Sequence, residues 1–220
     1  MARFRSLCWF PYVAPMAVFT LLTLLESAAP HTFYVWLYAG KVVIVTALLL
    51  ALRAPWREIR FDLRVVPVAI LVGVFVLVEW IALDQWIPYP HLGTRVGFDP
   101  FTAIASPAAR GAFLAARFFG LVVMVPVMEE IFWRSFLLRY VTDADFKKLP
   151  LDGFSGTAFV VVAGAFGLAH TEWLVAIVAA CAYALLLRST RSLFACIVAH
   201  GVTNLLLGVY ILRTGQWIYW

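Results

Sequence analysis

Charge is scarce in this sequence. Asp, Glu, Lys and Arg make up 13% of its 220 residues, about half the ~25% of an ordinary soluble domain. With 64% hydrophobic residues and a mean hydropathy of +0.93, the chain is expected to live in a membrane. It also lacks a basic block. Its formal charge of +5 is spread in short clusters between apolar runs, so no nucleic-acid partner is expected and membrane lipids are. Cysteine is rare. Cys8, Cys181 and Cys196 fall inside apolar runs and are read as small core residues, too few for a disulfide framework or a cysteine-only metal site. No long-period or low-complexity repeat is present, which removes the internal symmetry that a transporter often carries.

What the chain does have is apolar runs long enough for a bilayer, which takes about 20 residues per helix. Seven spans are predicted, near 8–27, 33–52, 65–83, 112–140, 156–170, 173–188 and 193–212, with six to eight as the range. The fold class is therefore all-α, a polytopic transmembrane helix bundle forming one membrane domain over 1–220. The first run follows "MARFRS" but exceeds a typical signal-peptide core of about 7–15 residues, so it is expected to stay as an anchor. Placing the N-terminus in the cytosol puts Arg3, Arg5, Arg53, Arg57, Arg60, Arg64, Arg134, Arg139, Lys147, Lys148, Arg188 and Arg191 inside. Only Arg95, Arg110 and Arg213 then lie outside, as the positive-inside rule requires. Small residues at helical spacing (Ala163 and Gly167; Ala176, Ala180 and Ala184) predict close packing of the fifth and sixth spans.

Ionisable groups within spans are expensive and call for a purpose. Glu129, Glu130 and Arg134 share "VPVMEEIFWRSF". Residues i and i+4 lie on one helix face while neighbours diverge by about 100°. Glu130 is thus expected to pair with Arg134, leaving Glu129 without a local partner. Phe166 and His170 in "FGLAH", and His200 and Asn204 in "HGVTN", are likewise one turn apart. A rise of about 1.5 Å per residue sets Glu129, His170 and His200 roughly 16, 21 and 10 Å from the inner ends of their spans, compatible with one site. Each group alone is more simply interhelical glue, but four such sites at compatible depth favour a common purpose. Among the remaining charges, Glu79 and Arg117 are expected to bridge the third and fourth spans. Lys41 is expected to bond to backbone or a polar cavity wall.

Glu-Glu-x-x-x-Arg at 129–134, Phe-x-x-x-His at 166–170 and His-x-x-x-Asn at 200–204 resemble the three motifs of the CPBP intramembrane proteases, relatives of the type II CaaX prenyl endopeptidase. The segment "AYALLLRSTRSLFACIVAHGVTN" is similar to that family's approach to its last motif. The resemblance spans a catalytic core of roughly 110–210, whereas 1–100 adds spans without a recognisable motif. Ser135 departs from the glycine of many relatives, a difference expected to affect local packing alone. The overall look is similar to a bacterial subgroup found beside exosortase systems, which implies a bacterial plasma (inner) membrane and an exosortase-system partner.

The resemblance implies an endopeptidase acting on a peptide or membrane-protein substrate. Glu129 would be the general base for water, supported by Glu130 through Arg134. His170 and His200 would position water or the scissile carbonyl, Asn204 would donate to the oxyanion, and Phe166 would give structural support. Such roles suit these side chains. No cofactor is favoured; the alternative is zinc on Glu129, His170 and His200, a His₂Glu set with an open position. Two other classes remain: a non-catalytic immunity or assembly partner using the polar core as glue, and a small transporter with Glu and His as proton relays.

Overall fold

In the computed structural model the chain is described over residues 8–93 and 97–220. Arg3, Arg5 and Arg95, which entered the orientation count, lie outside those residues. Helices are the only regular secondary structure among the described residues. The main helices are α1 (Phe10–Ala28), α2 (Tyr34–Ala51), α3 (Val66–Trp86), α4 (Pro107–Thr142), α5 (Gly156–Leu168), α6 (Trp173–Thr190) and α7 (Leu193–Thr214). All but α5 are long and apolar enough to cross a bilayer. The chain is an integral, multi-pass membrane protein with six such helices among the described residues, at the lower end of the expected six to eight. α5 is apolar but has 13 residues, about 20 Å of helix against about 30 Å of hydrocarbon. The predicted span of 156–170 included two residues that are already in the turn leading to α6.

Local signals set the ends. Ser106, Ser155 and Ser192 accept from the backbone N–H three residues on, capping α4, α5 and α7. Pro107 follows its cap at the first helical position, where its missing N–H costs nothing. α6 ends on Arg191 in the left-handed region (φ 55°) and α7 on Gly215 (φ 69°).

α3 and α7 make the most extensive helix–helix contact. It depends on Gly73, where a Cβ would fall 2.5 Å from the Ala199 carbonyl oxygen. The small-residue stripe of α5 and α6 behaves as expected: a Cβ on Gly167 would meet Ile177 and the Trp173 carbonyl. Ala163, Ala176, Ala180 and Ala184 are all buried. Cys181 is partly buried and Cys196 fully so, but Cys8 is exposed, because its place in an apolar run says nothing about which way it faces.

Two other expectations fail. Glu79 and Arg117 do not bridge. Neither Glu79 oxygen has a hydrogen-bond partner among the described residues, while the Arg117 guanidinium lies over the rings of Tyr38 (4.5 Å) and Trp220 (5.2 Å). Aromatic faces satisfied the arginine, so helix level alone was a poor guide to pairing. Lys41 is also paired differently, forming an ion pair with Glu26 and donating to Thr23 at 3.1 Å. Ser135 does more than pack. Its hydroxyl donates to Glu58 (2.6 Å), which also accepts from Arg139 (2.6 Å) and Tyr12 (2.7 Å), joining α1, α4 and the segment after α2.

Candidate active site

α4 carries the two glutamates, and its backbone is not uniform. Two π-helical stretches, Gly120–Met124 and Ile131–Leu137, flank an α-helical piece, Val125–Glu130. Pro126 explains what the first π stretch leaves open. The Val125 N–H, which would bond Leu121 in an α-helix, goes instead to Gly120. The next amide in a π register belongs to Pro126, which has no N–H. The Leu121 carbonyl is thus orphaned, and Asn204 of α7 fills the gap through Nδ2 at 2.8 Å. Beside it, a Cβ on Gly201 would fall 2.9 Å from the Val122 carbonyl oxygen, so glycine lets α7 approach this irregular backbone.

Beyond Pro126 the glutamates diverge. Glu130 is fully buried. Its Oε1 accepts from His200 Nδ1 at 2.8 Å, and its Oε2 lies 3.1 Å from Arg134 Nε, an ion pair by distance without hydrogen-bond alignment. Glu129 is also buried, yet its Oε2 has no partner among the described residues. His170 Nδ1 bonds the Phe166 carbonyl at 2.7 Å. A carbonyl and a carboxylate only accept, so in both histidines Nδ1 carries the hydrogen and a neutral ring keeps its lone pair on Nε2. Glu129 and His200 both lie within electrostatic reach of His170.

Aromatic faces hold these groups in order. His170 stacks on Phe166 (4.4 Å between centroids), and Phe166 covers the Arg134 guanidinium (4.7 Å). The other face of the site is Tyr183, which lies 5.2 Å from the same guanidinium and stacks on His200 at 5.3 Å. Neither Nη1 nor Nη2 of Arg134 makes a hydrogen bond among the described residues, so ring faces stand in for donors' partners. Tyr183 donates to Thr203 (2.8 Å), and Thr203 lies 2.9 Å from the Gly73 carbonyl, tying α6, α7 and α3 together. Tyr183 and Thr203 were missed from sequence. The available signal was a tyrosine in an apolar helix, whose hydroxyl needs a partner when buried.

The fold thus joins Glu130, Arg134 and His200 directly, and Phe166 to both Arg134 and His170. Glu129 lies within electrostatic reach of His170 without bonding to it, and Asn204 bonds backbone. His170 and Asn204 are partly exposed, whereas the Glu129, Glu130 and Arg134 side chains are buried. A cavity of about 680 Å³ lies elsewhere, lined by Arg57, Glu58, Arg60, Arg139 and Arg191 among others, and contains none of the site residues. No three His, Cys, Asp or Glu among the described residues are gathered closely enough to hold a metal ion. Glu129, His170 and His200, the set expected for zinc, do not form such a group.

Residues 111–206 match the family model of the Rce1-like type II CAAX prenyl endopeptidases. This core is similar to the Rce1-like family. The match covers all three motifs and thus every site residue from Glu129 to Asn204. Comparison with curated proteins and with solved structures finds no match to either. The Rce1-like similarity supports a membrane protease, which would take peptides or proteins as substrates. It leaves α1, α2 and α3 outside the matched segment.

Proposed function

We propose that the protein is an intramembrane endopeptidase in which Glu129 is the general base. The observation that carries this reading is the contrast between two neighbouring carboxylates. Glu130 has one oxygen on His200 and the other beside Arg134, while Glu129 keeps a buried oxygen with no partner among the described residues, within electrostatic reach of His170. A base must have such an acceptor ready for a proton.

In the reaction, Glu129 takes a proton from water as the water oxygen bonds to the scissile carbonyl carbon. The C–N bond then breaks, and the proton passes from Glu129 to the departing amine. His170 and His200, with Nε2 directed away from their Nδ1 anchors, orient water and carbonyl. One N–H of the Asn204 amide is committed to Leu121, and the second is the donor for the oxyanion. Arg134 fixes Glu130, which fixes the tautomer of His200. No step passes through a metal.

We further place the N-terminus in the cytosol and the protein in a bacterial plasma membrane, with an exosortase-system partner as the biological setting; these rest on sequence pattern. Purified protein and its Glu129→Gln variant, incubated with a fluorogenic peptide library in proteoliposomes, test the reading. Cleavage by the wild type alone supports it. A Glu129→Ala variant that keeps its function in cells would instead favour the non-catalytic partner role.

A further inference from the structure

We propose that Glu79 is a substrate-binding residue of this site, accepting a hydrogen bond from a backbone N–H of the bound peptide. The inference deepens the peptidase reading and rests on it.

Glu79 is only 8% exposed, and both of its carboxyl oxygens lack a partner among the described residues. Burying a carboxyl without hydrogen bonds is costly, so an unfilled one marks a place for something absent. Its position ties it to the site rather than to the lipid. On α3, Leu71, Phe75 and Val78 are exposed, whereas Ala69, Gly73 and Val76 are buried against the bundle. Glu79 continues the buried face by one turn. Gly73, a turn and a half earlier, accepts from Thr203 of the Tyr183 relay. The next residue, Trp80, packs edge-on against His170 at 5.9 Å, and Glu79 itself lies within electrostatic reach of the Tyr183 phenol.

The chemistry on offer is complementary to what a membrane peptidase must receive. A peptide bond can be attacked only where its helix has unwound. Each unwound residue then exposes an N–H in hydrocarbon, at several kcal/mol. A buried acceptor with two empty oxygens relieves that cost. Because Glu79 lies outside 111–206, it would be a contribution of the N-terminal helices to substrate choice.

The test is a thermodynamic cycle read by binding, in a Glu129→Gln background that cannot turn the peptide over. The probe is the tightest-binding member of the fluorogenic library. It is compared with analogues in which one amide at a time near its centre is replaced by an ester, removing a single N–H. At one position, the ester should weaken binding about tenfold with Glu79 present. It should weaken it less than twofold with Glu79→Leu, and Glu79→Gln, which can still accept, should restore most of the coupling. Additive losses at every position would overturn the inference, as would failure of any library peptide to bind. A peptide that binds with the expected coupling but is never cut by wild-type protein would sink the peptidase reading alone.

Discussion

Glu129 and Glu130 are neighbours in sequence but ask different things of their surroundings, and their substitutions should differ accordingly. Glu129→Gln keeps shape and removes the proton acceptor. We expect cleavage to fall by about 10²–10⁴ with an unchanged melting temperature, the usual range for a lost general base. Arg134→Ala should act on folding instead. It strands Glu130 in a buried position, at about 3–5 kcal/mol, and empties the space between Phe166 and Tyr183. Thermal unfolding in detergent separates the two effects; a stable Arg134→Ala protein would refute the structural role. This division was legible in sequence, since the i, i+4 spacing singles out Glu130 and Arg134. The partner of His200 was not legible, because Glu130 reaches it only through tertiary packing. The Glu79–Arg117 bridge failed for a related reason. Equal depth brings two charges to one level, but rotation about each helix axis decides whether they face one another.

Helix by helix, hydropathy located the crossings well, because burial in lipid demands long apolar runs. It could not reveal the π turns of α4, which arise from competition among a few amides around Pro126. There the consequence is testable. Pro126→Ala supplies an N–H that can reach Leu121 or Val122 and so competes with Asn204. We expect the variant to fold with equal or greater stability but to lose at least about tenfold in activity, as the Glu129 piece changes register. Asn204→Leu has the opposite signature. It leaves the Leu121 carbonyl unsatisfied at about 1–3 kcal/mol and should lower the melting temperature as well as activity. Equal melting temperatures for wild type and Asn204→Leu would mean that the bond contributes little.

For the molecule as a whole, connectivity alternates between two ends. Glu58, Arg139, Leu149 and Arg191 gather at one, while Pro90, Thr171 and Tyr219 meet at the other through bonds from Trp173, Leu92 and to Asp84. If the first end is cytosolic, Lys148→Cys in a Cys8→Ser background should be shielded from a membrane-impermeant maleimide in intact cells, and Thr214→Cys should react. The reverse pattern would invert the orientation. The shortness of α5 then bears on the lipid itself. Its outward side, with Val160, Val161 and Leu168 exposed, offers the acyl chains a hydrophobic wall about 20 Å tall. A bilayer meets such a mismatch by thinning locally, at fractions of a kcal/mol per Å. The membrane beside His170 would therefore be dimpled, and a helix drifting into the dimple would be too long for it. Tilting or fraying relieves the excess, so the depression itself would help to loosen a substrate before it reaches Glu129. Turnover in vesicles of graded acyl length should then decline from 14-carbon to 22-carbon lipids, even where the enzyme's own melting temperature holds steady.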